Sequence, residues 1–459
     1  MTKRGIEMKK LGSLKIRASS EIKESRIGIG FECLDRDLYK PEKCYDLFAK
    51  TGAKFARCQT GWAKVERIKG VYDWAWLDDV IDNLIKRGVT PWFNVGYGNP
   101  IYMPDANNPT AVGFPPTNYG DEVVTAWLDF CRALATHFKG SVIHFEIWNE
   151  PDDVNFWQPK VPDGAEYGRL VKITGDAIKS VIPDAKIGAC SSRSKAEFLR
   201  PLFDTATPDG LDFFCAHNYD RQLEFGEKSV NYSVTHELIE AHGMKKTEFW
   251  MGECGHASWH PEGHWLYPFG GGSEHRQAVW YLRRAFYDFR QNLRLTCFYI
   301  IADPWEQAYV TATTNERKHP AYGILNGLTY TPKLAHTALS CLANLLGGDE
   351  LPTLSDIPVT LSAPMTSDMP CPLSVSFIRN GCEAVAYWLP YPIEKECGVT
   401  GKCSITFDQG SKIQSPVLID TLSGEVFEVE YDRATKVASG LPIGEYPFVI
   451  CDSSAIEII

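Results

Sequence analysis

The chain holds two glutamates whose surroundings suit acid–base work on a bond between them. Residues 142–152 read V-I-H-F-E-I-W-N-E-P-D. The run 142–145 has the β-branched and aromatic enrichment of a buried strand, and Pro151 breaks it. Glu150 therefore falls where a strand runs out into a loop, flanked by Trp148 and the amide of Asn149. A carboxyl half-desolvated in such a cleft has its pKa raised toward proton-donor range. A second candidate lies about a hundred residues on, where the run 247–252 leads into Glu253 and Cys254-Gly255 ends it. Hydrolysis of a glycosidic bond needs such a pair, one acid and one nucleophile or base.

Two strand-end carboxyls far apart in sequence require a fold that gathers strand termini on one face. Strand-like runs at 27–31, 54–58, 90–95, 142–145, 185–190, 211–216, 247–252 and 295–301 alternate with helical patterns, among them 78–88 with a Gly88 cap, 121–138, and a segment ending near Ile182. Alternation repeated about eight times predicts a parallel (β/α)8 barrel of the TIM type over residues 25–346, closed by a helix over 332–346. Long Gly-, Pro- and Asn-rich connections at 96–120 and 152–163 are expected to line the cleft. Beyond Gly347-Gly348 the pattern changes to short strands with turn signals at 359–361, 373–378, 384–389, 404–407, 416–419, 426–431 and 447–451. These predict a C-terminal antiparallel β-sandwich over 347–459. The alternating stretch 11–22 predicts one more strand ahead of the barrel, within an N-terminal segment 1–24.

The W-N-E-P of Trp148 to Pro151, followed by the strand-end glutamate in W-M-G-E-C-G, resembles the retaining glycoside hydrolases of clan A, and among them glycoside hydrolase family 39, which includes β-xylosidases and α-L-iduronidases. The resemblance covers about residues 25–345 and is specific at the two glutamates. It implies Glu150 as general acid/base and Glu253 as nucleophile, with the N-terminal strand joining the sandwich. It also implies Asn149 on the sugar 2-hydroxyl, His217 and Tyr219 as an H-x-Y pair at the sixth strand end, and Trp305 as the floor under the reacting sugar. Tyr219 is placed to orient Glu253, a core tyrosine being the alternative. Arg57, at the end of the second strand, would keep the nucleophile ionised; the alternative is a structural pair with Glu32 or Glu146. Glu146 itself reads as structural. Trp62, Tyr97, Trp157 and Trp259 are further sugar-stacking candidates, with core filling as the bland alternative for each.

A formal net charge of −11 argues against nucleic-acid or anionic-membrane partners. Residues 1–26 are basic and polar without an apolar core, and the fourteen cysteines are scattered through predicted elements, so a cytoplasmic chain with reduced thiols is expected. Were a leader missing, Cys397 and Cys403 would be a candidate disulfide. His256, His260 and His264 stand four apart beside Cys254, a spacing that suits zinc on a helix, but Gly255, Pro261 and Gly263 break any helix there. No metal or cofactor is expected. The reading is an exo-acting β-xylosidase-like enzyme on an oligosaccharide or glycoside, with a homo-oligomer left open. Endo-β-glycanase, β-glucosidase or β-galactosidase action, and a carbohydrate-binding pseudoenzyme, are the alternatives.

Overall fold

Eight parallel strands close on themselves in chain order: Ile27–Gly30, Phe55–Gln59, Thr90–Val95, His144–Ile147, Lys186–Ser191, Phe213–Asn218, Glu248–Cys254 and Leu295–Phe298. The last pairs with both the seventh and the first, so the sheet has no edge. The computed structural model describes residues 8–206, 211–221, 223–224, 232–263, 269–304, 320–356, 358–363 and 369–459. Helices Ala75–Lys86, Asp121–His137, Gly164–Lys179, Ala196–Ala206, Tyr232–Ala241, Glu274–Arg290 and Leu334–Leu345 lie between and after the strands. Ala75–Lys86 buries one apolar side, Leu77, Val80, Ile81 and Leu84, whereas Glu274–Arg290 is buried all round from Gln277 to Phe289. The expected (β/α)8 barrel is observed.

The interior of the barrel is packed. Phe55, Trp92, Cys190, Phe213, Cys215, Trp250, Leu295 and Cys297 form a separate buried cluster. Trp250 stacks on Phe213 with ring centroids 4.3 Å apart and meets Trp92 edge-on at 5.4 Å. Gly188 on the fifth strand makes room for this stack: a Cβ there would lie 2.2 Å from the Phe213 ring. Trp92 also donates from Nε1 to Glu146 Oε2 at 3.0 Å, so the apolar plug reaches the charged layer above it.

Beyond the barrel stand a seven-stranded and a four-stranded antiparallel sheet, as expected of a sandwich. Lys10–Ser13 pairs with Glu425–Glu428 at the edge of the larger sheet, placing the N-terminal segment on this unit. Two strands of these sheets went unpredicted: the two-residue Thr353–Leu354, too short to show a pattern, and Val437–Gly444, which Gly440 and Pro442 interrupt. Gly440 adopts φ 68°, where the pairing with Val399–Phe407 shifts register between Cys403 and Ile405. The predicted run 426–431 divides between two strands, Glu425–Glu428 in one sheet and Glu430–Asp432 in the other. All fourteen cysteines are free thiols, so the Cys397–Cys403 pairing is not made; Cys397 instead donates from its backbone N–H to Glu445 at 2.9 Å. No described helix is long and apolar enough to cross a membrane.

The plug predicts its own test. Trp250→Ala empties the centre of the barrel and is expected to lower unfolding free energy by about 3–5 kcal/mol, measured by urea denaturation with circular dichroism. A loss below about 1 kcal/mol would mean the interior repacks freely.

Candidate active site

The strand ends at one mouth of the barrel converge on a single guanidinium. Arg57 is fully buried at the centre of the second strand, which runs on to Gln59 and does not end at Arg57 as its sequence suggested. Its Nε and Nη2 grip Glu146 side-on at 2.8 and 2.7 Å. Nη1 donates to Glu32 at 2.9 Å and to Glu253 Oε2 at 2.6 Å, and Nη2 also donates to Asn149 Oδ1 at 2.9 Å. All five N–H donors of the fork are thereby used. The alternatives weighed for Arg57 merge: it is both the structural partner of Glu32 and Glu146 and the cation on Glu253. Asn149 has its amide oxygen taken by Arg57, which turns its nitrogen the other way.

The strand carrying Glu150 runs two residues further than its apolar run suggests, through Glu146 and Ile147. The chain then turns sharply, with Trp148 at φ 66° and Glu150 at φ 45°, left-handed conformations that side chains other than glycine seldom adopt. Surrounding contacts hold this turn. Trp148 N–H donates to Val95 O at 3.0 Å, its Nε1 donates to Phe156 O at 2.8 Å, and its carbonyl accepts from Asn94 Nδ2. Asp152 just beyond accepts from Ser191 Oγ and from the backbone N–H groups of Ser192 and Arg193 at 2.7–2.9 Å. The strain places the Glu150 carboxyl over the mouth, 17 % exposed, where His217 Nδ1 lies 3.0 Å from Oε1.

Glu253, 11 % exposed, lies at the end of the seventh strand. Its Oε1 accepts from the Tyr219 hydroxyl at 2.5 Å while Oε2 takes Arg57. Glu150, His217 and Glu253 each offer a ligand atom within 4.8 Å of the others. His217 is buried and also lies 3.7 Å from Glu146 through Nε2. Burial alone would lower its pKa, but Glu253, Glu146 and Glu150 raise it to about 10. The Glu150–His217–Glu253 group has metal-like spacing, yet a histidine held protonated between carboxylates is a poor cation ligand. Glu146 is pushed up by burial and pulled down further by Arg57 and His217, to about 2. Glu150 is raised, chiefly by burial and in part by Glu253, with His217 opposing.

Other expected site residues sort differently. Trp62 is a core residue, 0 % exposed between Tyr102, Trp127 and Phe130, with Nε1 donating to Glu66. Trp157 is likewise core, 1 % exposed and edge-on to Tyr167. Neither has a free face for a sugar, because the short helix that begins at Trp62 and the loop that holds Trp157 turn both indoles into the core. Tyr97 is buried with its hydroxyl against Gln59 at 3.2 Å and its ring over Phe156. Trp259 is half-buried, with its carbonyl accepting from Ala321 N–H at 2.8 Å. Trp305 and His264 lie outside the described residues. His256 and His260 sit ring to ring at 5.9 Å, His260 in a hairpin strand rather than a helix. Sequence reasoning missed Tyr299 and Tyr322, half-buried and 5.7 Å apart, which pack with Tyr219 into a wall beside Glu253. Tyr299 stood inside a predicted strand, whereas that strand ends at Phe298.

Residues 60–246 match the model of the family described as glycosyl hydrolases family 39, bearing out the resemblance read from the motif. A β-xylosidase of Geobacillus stearothermophilus is 27% identical over 171 residues, 33% of this chain and 31% of that protein, so the match spans under a third of the curated relative. Among solved structures, a family 39 glycoside hydrolase of Bacteroides cellulosilyticus superposes with TM-score 0.69 at 18% identity, covering 97% of this chain and 83% of the other. A family 39 β-xylosidase of Caulobacter crescentus gives 0.60 at 16%, covering 95% and 97%. A family 30 endoxylanase of Clostridium papyrosolvens gives 0.63 at 13%, covering 96% and 99%.

The charged layer should show in acid unfolding. The folded pKa of Glu146, about 2, is depressed below its ordinary 4.5. Its stabilisation is therefore full above about pH 4.5 and is lost as pH falls through about 2. Glu146→Gln is expected to cost about 3–5 kcal/mol at pH 7 by leaving Arg57 short of charge, and to flatten the fall of Tm over that window.

Proposed function

We propose that the chain is a retaining glycosidase that removes a terminal sugar from β-linked oligosaccharides or glycosides, with β-xylosides as the first substrate class. The observation that carries this is the placement of Glu150 and Glu253, with carboxyl oxygens within 4.8 Å of each other and unlike partners. A retaining pair has carboxyls about 5–5.5 Å apart, whereas an inverting pair stands at about 6.5–9.5 Å to admit water. Arg57 and Tyr219 hold Glu253 as an ionised, oriented nucleophile. Burial favours the protonated form of Glu150.

In the first step Glu253 attacks the anomeric carbon while Glu150 gives its proton to the leaving oxygen. Glu150, now ionised beside protonated His217, then takes a proton from water as that water displaces the Glu253 ester. Asn149, held by Arg57, presents its amide nitrogen toward the sugar 2-hydroxyl. The tyrosine wall of Tyr219, Tyr299 and Tyr322 gives the sugar a face to lie against. Exo action is favoured by the way two mouth loops are tied together: Gln158 N–H donates to Gly113 O at 2.7 Å and Asn118 Nδ2 to Gln158 O at 2.9 Å. On this reading the joined loops wall one side of the cleft. The β-xylosidase names among the similar proteins support the choice of sugar.

A panel of aryl β-glycosides tests the reading. Glu150→Ala is expected to slow poor leaving groups by about 10²–10⁴-fold and to spare activated ones in the first step. Glu253→Ala should abolish turnover and, with azide, release a glycosyl azide of inverted configuration; azide rescue with retention would reverse the roles. Because His217 holds the Glu150 pKa down, His217→Asn should move the alkaline limb of the kcat/KM profile to higher pH. A limb that stays in place would separate His217 from the acid.

A further inference from the structure

The mouth contains a third carboxyl that the double displacement does not use. Glu32 follows the first strand and is 1 % exposed. Its Oε2 accepts from Arg57 Nη1 at 2.9 Å, the nitrogen that also donates to Glu253 Oε2 at 2.6 Å. Gln59 Nε2 reaches the same Glu32 oxygen at 3.5 Å. Oε1 folds back over the first strand and has no hydrogen-bond partner among the described residues. Space for that fold comes from Gly30, where a Cβ would stand 2.7 Å from Glu32 Oε1. The φ of Gly30 is not positive, so the glycine supplies room rather than a special turn.

We infer that Glu32 is a positioning residue for the second half of the reaction, holding Arg57 Nη1 in place while Glu253 is esterified. The inference rests on the double displacement proposed above. In the free enzyme the charge of Glu253 itself holds Nη1. Once the nucleophile is spent on the C–O bond to the sugar, its oxygen becomes a neutral ester acceptor and that hold weakens. Nη1 then keeps a full hydrogen bond only on Glu32. When water displaces the ester, Glu253 leaves as a carboxylate, and its developing charge needs Nη1 where it stood before. No new bond or proton transfer is involved.

The surroundings agree with this division of labour. Burial, with Glu253 and Glu146 adding to it and Arg57 opposing, raises the Glu32 carboxyl to about 8. A neutral acid accepts from Nη1 without competing for the charge that Glu253 requires in the first step. Glu146 cannot take over, since it already occupies Nε and Nη2 side-on.

The test separates the two steps. With a 2,4-dinitrophenyl β-xyloside, or whichever 2,4-dinitrophenyl glycoside of the panel the wild type cleaves, the burst reports ester formation and the steady state its hydrolysis. Glu32→Ala is expected to lower the steady-state kcat by ten-fold or more, change the burst rate less than three-fold, and lower KM through accumulated ester. Glu32→Gln, which keeps an acceptor for Nη1, should restore most of kcat. Gly30→Ala, which pushes the carboxyl off Nη1 without changing charge, should reproduce the Glu32→Ala split. Equal slowing of both phases, or no recovery in Glu32→Gln, overturns the inference and assigns Glu32 a purely structural part. A wild type that forms no ester on Glu253 with a 2-deoxy-2-fluoro glycoside overturns both this inference and the proposed reaction, whereas labelling of Glu253 without the kinetic split overturns the inference alone.

Discussion

A single buried cation organises the mouth of the barrel. Arg57 is removed from water at a cost of several kcal/mol, which is recovered only if its partners come with it. Those partners sit on three strand ends or the turns beyond them: Glu32 after the first, Glu146 and Asn149 in and after the fourth, and Glu253 in the seventh. None of these side chains would be stable there without the others. The guanidinium fork thus ties the closure of the barrel to the assembly of the site, and its fixed planar geometry sets where each oxygen stands.

Around that cation, four glutamates of identical chemistry meet different surroundings. Glu146, held at two nitrogens, is kept strongly acidic, whereas Glu150, on a strained turn beside His217 and Glu253, is raised by burial. Glu32 shares one nitrogen and is pushed toward neutrality by burial. Glu253 faces both an arginine and a tyrosine. Separation of carboxyl environments is what acid and nucleophile functions demand of a pair that would otherwise titrate alike.

The sandwich takes part in this arrangement. Arg283, on the helix Glu274–Arg290, holds Glu224 at 2.7 Å through Nε and donates to Tyr391 O at 2.7 Å, and Trp388 of the larger sheet donates to the same Glu224 at 2.9 Å. Trp280 on that helix donates to Asp220 O at 2.9 Å, and Arg221 meets Glu394 at 3.2 Å. These contacts fasten the described first part of the segment that follows the sixth strand, where Tyr219 stands. The second unit therefore steadies the loop that orients the candidate nucleophile.

The barrel could be read from the chain because periodicity is local: each strand–helix unit carries its own apolar pattern, and eight in succession leave few other closures. The two glutamates were legible for the same reason, each standing where an apolar run meets a breaker. What the pattern could not say was which way a loop side chain turns. Trp62 and Trp157 looked like sugar platforms and are core, because burial of an indole is decided by neighbours distant in sequence. The strand Val437–Gly444 escaped because its glycine bulge and proline pair only against a partner strand already in place. Sequence alone thus determined the order of elements and the two acidic strand ends. Tertiary structure decided that Arg57 serves three carboxyl groups at once, that Tyr299 and Tyr322 join Tyr219, and which glutamate is held charged, since hydrogen-bond geometry and desolvation exist only once the strands have closed around them.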